Sequence, residues 1–516
     1  MNFSSLKTRI LIISLLLASV PLTLVTGNSS EPILSTPSLD AINKDWTVLI
    51  YMCGDNNLEY FALDDLNELE AAGGTTADVN VVVMVDQSTA DYPEPAYVSA
   101  WTESRYYVIE GDSLTSTFTS PLNASLGELN MGDGATLENF VDWGLTNFPA
   151  NNTALILWDH GGGLDGVCWD DDNNDFLTID EVDDALEGYY FDLIAFDACI
   201  MGQVEILYEL SDNCGTLVSS LYNIPGDGFP YDIILAELIS NPTLTASEWA
   251  DIIVFEYVDS YAIYDLDVTL SAYNTSAITG IETLVNDFSH ALIAALPTYY
   301  STIYNAINMA DSYMPDFVCE FYQFIEEVQS IAAFGVDTAA ANLIAMLDDA
   351  LIASESSLYT TPYGLWIFLP SLPYNYINDF YVYSNQTVVN SYVNNYYDFE
   401  FVANTDWDNF VYEWRDAVDG LISSVSTSTP FSGSLTDGSL KYIQADLSNP
   451  GAGIAYMATL TMDAAVDFDL YAFNEEAYLG MSNSVSASST NIDANDEVII
   501  LPITAVTTVF FMVYSY

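Results

Sequence analysis

The sequence is nearly without positive charge. Its 516 residues include six lysines and arginines and two histidines, against 74 aspartates and glutamates, for a formal net charge of -68. That balance excludes a nucleic-acid partner, because phosphate binding draws on Lys and Arg to displace counterions. Cysteine is scarce and odd in number: Cys53, Cys168, Cys199, Cys214 and Cys319. No Cys-x-x-Cys pair occurs, which argues against a cysteine-rich zinc site. An odd count in an exported chain leaves at least one thiol unpaired or intermolecular. The sequence also lacks a Gly-x-Ser-x-Gly elbow, a His-Glu-x-x-His helix and an Asp-Thr-Gly pair, so serine, zinc and aspartic hydrolase chemistry is poorly supported. It does not lack apolar residues. They make up 51% of the chain, and only 16% of residues are charged. This is not the composition of a disordered acidic polymer, and a large core can be buried. The carboxylate excess repels itself, so salt, divalent cations or acidic surroundings are expected to be needed.

The chain opens with MNFSSLKTRILIISLLLASVPLTLVTG (1–27). Lys7 and Arg9, then an apolar run to about Val25, then small polar residues, have the layout of a secretory signal peptide. An uncleaved signal acting as a membrane anchor is the alternative; either way the bulk of the chain is expected outside the cell. Residues 28–44 read as a polar spacer. No further membrane span is expected: the apolar C-terminal run, 498–516, holds Pro502 and several Ser and Thr, and reads as two strands. Glycosylation acceptor patterns occur at Asn28, Asn123, Asn151, Asn274 and Asn385.

Between residues 45 and 420 the pattern alternates. Near-continuous apolar runs at 46–53, 79–85, 154–158, 191–196 and 215–221 suit parallel strands covered on both faces. Helical patterns separate them at 57–73, 136–148 and 178–188, the last opened by a Thr-x-x-Glu capping box. This predicts a three-layer α/β domain with a mostly parallel sheet. Residues 250–350 read as mostly helical, and 363–370 as a further strand. A Ser/Thr/Gly-rich linker follows at 421–438. Residues 439–516, with strand-like runs between turn residues, read as a small all-β sandwich domain.

His160, in LILWDHGGG, and Cys199, in FDLIAFDACIMG, each fall one or two residues past an apolar strand. Ligands bind beyond the carboxyl ends of strands in open α/β sheets. If the two strands are neighbours, an imidazole faces a thiol there, which is a nucleophile beside its base. The glycines after His160 let backbone approach a substrate, and the N–H groups of Gly161 and Cys199 are candidates to hold an oxyanion. A cysteine at a strand end is often no more than a small buried hydrophobe, so the pairing with His160 carries the reading. His290 lies in an amphipathic helical pattern and reads as surface or packing. Cys53 also ends a strand, but its CGDNN turn offers no base of its own.

The blocks WTVLIYMCGDNNLEYFALDDLNEL, LILWDHGGG, LTIDEVDDAL, FDLIAFDACIMG, SSLYNIPGDGFPYD, TLSAYN and YGLWIFLP resemble those of clostripain-like cysteine peptidases, from about Trp46 to Trp414. The resemblance implies a caspase-like three-layer fold shared with gingipains and legumains. It implies a cysteine endopeptidase with His160 as base and Cys199 as nucleophile, acting on protein or peptide substrates and preferring Arg or Lys before the cut bond. It further implies that Asp197, two before the cysteine, belongs to the pocket for that side chain, with Asp227 in the PGDG loop a second candidate. A carboxylate is the physical requirement for such a pocket, although Asp227 also suits a plain turn. Members of this family are often activated by a cut between His and Cys at a basic residue, yet residues 161–198 contain no Lys or Arg. The C-terminal part resembles, more weakly, prepeptidase C-terminal domains. A non-catalytic surface or adhesion protein on the same scaffold, and a peptidase preferring another residue, are the rival readings. The chemistry needs no cofactor. Calcium is the candidate ion: DDDNNDFLTIDE (170–181) has EF-hand ligand spacing at Asp170, Asp172, Asn174, Phe176, Thr178 and Glu181, but Asp175 stands where the turn needs Gly.

Overall fold

The structure is a computed structural model, and it describes residues 43–89, 101–112, 117–264, 266–310, 312–313, 318–357, 364–369, 396 and 399–419. Beyond these it describes seven C-terminal strands. The signal segment, nearly all of the spacer and most of the 421–438 stretch lie outside the described residues, as does Asn385.

Among the described residues, fourteen strands precede residue 369. They are β1 (Lys44–Gly54), β2 (Val79–Gln87), β3 (Ser104–Val108), β4 (Leu122–Gly127), β5 (Ala150–Trp158), β6 (Val167–Asp170) and β7 (Asp175–Leu177). Then come β8 (Leu193–Asp197), β9 (Thr216–Ser219), β10 (Thr269–Asn274), β11 (Ser312–Tyr313), β12 (Val318–Glu320), β13 (Leu351–Ser356) and β14 (Trp366–Phe368). Nine of them form one sheet in the order β13-β10-β9-β8-β5-β1-β2-β3-β4. The five central strands, β9 to β2, run parallel, and both edges are extended by antiparallel strands.

The period-2 alternation of β1 divides the core. Leu49, Tyr51 and Cys53 enter one apolar cluster, while Val48, Ile50 and Met52 enter another on the opposite face. The second cluster is closed by α1 (Glu59–Ala71) and by two later helices, Tyr231–Ser240 and Ala246–Tyr261. The first is closed by α2 (Gly134–Asn147), α3 (Ile179–Ala185), α4 (Val204–Glu209) and the long helix Ile281–Met309. Both sheet faces are thus covered, which is why these strands carry apolar runs and not a polar–apolar alternation. This is the three-layer α/β arrangement the pattern predicts. Within the 363–370 run Trp366–Phe368 forms a strand, but β14 joins β11 and β12 in a separate three-stranded sheet. Farther on, strands fall at 440–446, 455–460, 468–474, 487–489, 497–502 and 508–515. One more, Ser423–Ser426, lies inside the Ser/Thr-rich stretch and pairs in parallel with Leu440–Asp446.

Sheet order decides where chemistry can occur. The chain steps from β1 to β2 on one side, then returns to β5 and β8 on the other. The carboxyl ends of β2, β1, β5 and β8 therefore lie side by side at the reversal, where open α/β sheets bind ligands.

Candidate active site

Strands β5 and β8 are parallel neighbours with Trp158 opposite Asp197. His160 and Cys199 stand two residues beyond that pair, and the ladder continues past it with Asp159 N–H donating to the Asp197 carbonyl at 3.2 Å. The loops carrying the two side chains touch directly. A Cβ on Gly161 would lie 2.1 Å from the Cys199 carbonyl oxygen and 2.8 Å from its nitrogen, so only glycine fits. After the cysteine the chain turns sharply. Ile200 has φ of 55°, a costly conformation for a β-branched residue, and its N–H is held by the Tyr222 carbonyl at 3.1 Å.

The sulfur of Cys199 is half-buried. Ile224 N–H donates to it at 3.3 Å. Burial pushes the thiol up, while the N–H groups of Ile224 and Gly161 favour the thiolate. Burial also holds the His160 imidazole below its usual range, opposed by the charge of Asp171. Both shifts favour a neutral thiol–imidazole pair at rest. The other four cysteines are buried.

A residue the sequence reading passed over completes this arrangement. Asn57, in the turn after β1, places Oδ1 3.1 Å from His160 Nε2. With that nitrogen donating its proton to the amide oxygen, the lone pair able to accept a proton is on Nδ1. The adjacent Asn56 ties the same turn to the histidine loop. Its Nδ2 donates to Asp159 Oδ1 at 2.7 Å and to the Trp169 carbonyl at 2.9 Å. The turn that offers no base of its own thus contacts the loop carrying His160. His290 is exposed and pairs with Asp406 at 2.8 Å, and Cys53 is buried in the core.

The two pocket candidates meet at one loop. Asp197 ends β8 in the interior, where its Oδ2 accepts from Phe229 N–H at 3.0 Å and from the Tyr231 hydroxyl at 2.9 Å. Its Oδ1 has no hydrogen-bond partner. Burial pushes this carboxyl up to about 7 against those two donors. Gly228, at φ of 57°, allows the loop to close over it, since a Cβ there would sit 2.8 Å from Asp197 Oδ2. Asp227 is exposed at the tip of the same turn, which Gly228 N–H closes on the Pro225 carbonyl at 2.9 Å. Thus residues 222–231 touch the Cys199 sulfur at one end and the Asp197 carboxylate at the other.

The EF-hand expectation needs correction. Residues 170–175 form the β6–β7 hairpin, with Asp170 opposite Asp175, and not a loop wrapped around an ion. Asn174 lies exposed in the hairpin turn with φ of 51°. Asp172 reaches outward to Ser88 and to Thr89 N–H. Glu181 is committed to the start of α3, accepting from the Thr178 N–H and hydroxyl at 3.0 and 2.9 Å. The residues that matched EF-hand positions 9 and 12 are the two halves of a capping box.

The clostripain family model, peptidase C11, matches residues 50–414, which takes in both loops and the sheet that carries them. The chain belongs to the clostripain family. It is 31% identical over 243 residues to clostripain of Hathewaya histolytica, a match covering 42% of this chain. The match spans 46% of that relative, under half its length. Two solved structures share the fold of this clostripain-family chain. An inactive zymogen C11 protease from Parabacteroides distasonis superposes with a TM-score of 0.53 at 17% identity, covering 72% of this chain and 99% of its own. A secreted C11 cysteine protease from Bacteroides thetaiotaomicron, solved with an irreversible peptide inhibitor, gives 0.51 at 21% identity, covering 71% and 100%.

Proposed function

We propose that this clostripain-family chain is a secreted cysteine endopeptidase that hydrolyses peptide bonds after Arg or Lys. The observation that carries the reading is the pairing of His160 and Cys199 on adjacent, in-register strand ends, with Gly161 pressed against the cysteine backbone. His160 Nδ1 takes the thiol proton as the sulfur attacks the scissile carbonyl. The C–N bond breaks as the same proton passes to the leaving amine, and water then releases the acyl group from sulfur. Backbone N–H groups of Gly161 and Cys199 are assigned to the oxyanion. Because the pair is neutral at rest, the proton moves on substrate attack and no standing ion pair is needed.

The acidic loop floor supports the preference for a basic side chain. Asp197 keeps one oxygen free of hydrogen bonds beneath Gly228, and Asp227, the residue before that glycine, is exposed. A guanidinium or ammonium entering there satisfies a carboxylate that is otherwise costly to bury. A net charge of -68 would also draw basic substrates in at low salt. With no Lys or Arg between 161 and 198, the enzyme is expected to work without an internal cut there. The N-terminal segment supports secretion. Among the described residues no helix is long and apolar enough to cross a membrane.

The test is release of fluorophore from peptides ending in Arg, Lys, Asn or Asp by the mature chain and by Cys199→Ala. Cleavage after Arg and Lys, lost in the variant, is the expected result. Cleavage after Asn or Asp alone would remove the acidic-pocket assignment, and cleavage that survives Cys199→Ala would remove the nucleophile.

A further inference from the structure

The ends of β1, β2, β4 and β6 bring four carboxylates together on the same crest. Asp55, Asp86, Glu128 and Asp170 each offer an oxygen, and these four oxygens all lie within 4.8 Å of one another. The fold dictates the meeting. β1 and β2 are parallel with Cys53 opposite Asp86, so Asp55 follows at the strand end beside it. The hairpin end is docked onto the same turn by Asp171 N–H donating to the Asp55 carbonyl at 2.8 Å.

Three of the four carboxylates have hydrogen-bond donors of their own. Asp170 accepts from Met131 N–H at 2.8 Å and Asn173 N–H at 2.7 Å. Asp86 accepts from Gln87 N–H at 2.8 Å and the Ser104 hydroxyl at 2.6 Å. Glu128, on the solvent side, accepts from Asn173 Nδ2 at 3.4 Å. Asp55 is the exception. It is fully buried, and neither of its oxygens has a partner within hydrogen-bonding limits; burial and the neighbouring Asp170 carboxyl push it up to about 8, opposed by the nearby Ser88 hydroxyl. No described protein cation serves it. Lys44 is at the opposite end of β1, bound to the Thr76 carbonyl, and Arg105 is held by Glu103 over the Trp101 ring. A buried carboxylate without donor or counter-ion is costly, and one aimed at three more carboxylates is costlier.

We infer that Asp55, Asp86, Glu128 and Asp170 hold a divalent cation of the calcium type, with Asp55, whose two buried oxygens accept no hydrogen bond within geometric limits, as the ligand most in need of it. The donors are oxygen only, from separate segments, with Glu128 open to solvent for entry; such a set suits a hard cation and not zinc or copper. This site shares only Asp170 with the EF-hand spacing. Its occupancy also fixes the turn whose next two residues, Asn56 and Asn57, hold Asp159 and His160.

Calorimetric titration of the mature chain with calcium chloride in high salt, which screens the diffuse surface charge, tests the inference. One saturable site per chain is expected, weakened about tenfold or more in Asp55→Asn by loss of a charged ligand. At the same calcium concentration the melting temperature of the wild type should rise clearly more than that of Asp55→Asn. The cation-free variant should melt no lower than the cation-free wild type, because it has lost a buried charge, and this shows that it folds. Absence of a saturable site, or equal binding and equal melting shifts in the two proteins, would overturn the inference. In the peptidase assay calcium is expected to raise kcat more than it changes KM. That arm rests on the proposed function and the binding heat does not, so the two can fail separately.

Discussion

At the scale of single residues, Asn57 is the informative position. In the proposed mechanism its amide oxygen, 3.1 Å from His160 Nε2, accepts the proton there and so favours the imidazolium formed when Nδ1 takes the thiol proton. A hydrogen bond to a charged group is worth about 1.5–3 kcal/mol, so Asn57→Ala is expected to lower kcat/KM by about tenfold or more. Burial already depresses His160. Loss of the acceptor depresses it further, and the acid limb of the pH–rate profile should move to lower pH. A variant that merely loosens the fold would lose rate without moving that limb, so the profile separates the two. His160 and Cys199 were legible because the chain has so few of either and both follow apolar strands. Asn57 was not. Asparagine in a turn is unremarkable in so polar a chain, and its role exists only because β1 is the neighbour of β5, a pairing between segments about 100 residues apart.

At the scale of elements, the contact between the loops after β5 and β8 is the joint that holds the site. Gly161→Ala would drive a methyl group to 2.1 Å from the Cys199 carbonyl. Overpacking of this kind costs about 1–3 kcal/mol. The variant is expected to show that loss in its denaturant midpoint and a larger loss in kcat/KM, since the displaced atoms are those at the sulfur. A variant with unchanged midpoint and rate would mean that the loops are not in contact. Element types were readable from period alone: α1 and α3 fall within the predicted helical stretches, α2 starts two residues before its own, and β1, β2, β5, β8 and β9 overlap the apolar runs. What period cannot show is partnership. β14 has the composition of a main-sheet strand and joins β12 instead. The 170–181 stretch fitted two templates at once, and the capping box won because Thr178 and Glu181 satisfy backbone donors at the start of α3.

At the scale of the whole molecule, the excess of carboxylates is not confined to the surface. Glu68, Glu205 and Glu209 are pushed up to about 8, 7 and 8 by burial, partly countered by backbone N–H donors. Asp197 follows at about 7 for the same reason. Their folded values lie above the ordinary unfolded range near 4. Each therefore adds stability that is fully present below about pH 4 and is lost as pH rises through 7 to 8. The protein is expected to melt at a higher temperature at pH 5 than at pH 9 in the same salt and with divalent cations chelated. Equal melting temperatures would contradict this. Composition foretold the self-repulsion but not where the carboxylates would go, because burial depends on packing that charge counts do not contain.

The central claim, a thiol made nucleophilic by its neighbouring imidazole, is tested most directly by covalent capture. The intact mature chain is treated with a peptidyl chloromethyl ketone ending in Arg, and the modified residue is mapped by mass spectrometry. A single adduct on Cys199, formed without any cut between 161 and 198 and lost in His160→Ala, is the predicted result. An adduct on Cys53 or another buried cysteine, or equal labelling of Cys199 without His160, would contradict the account.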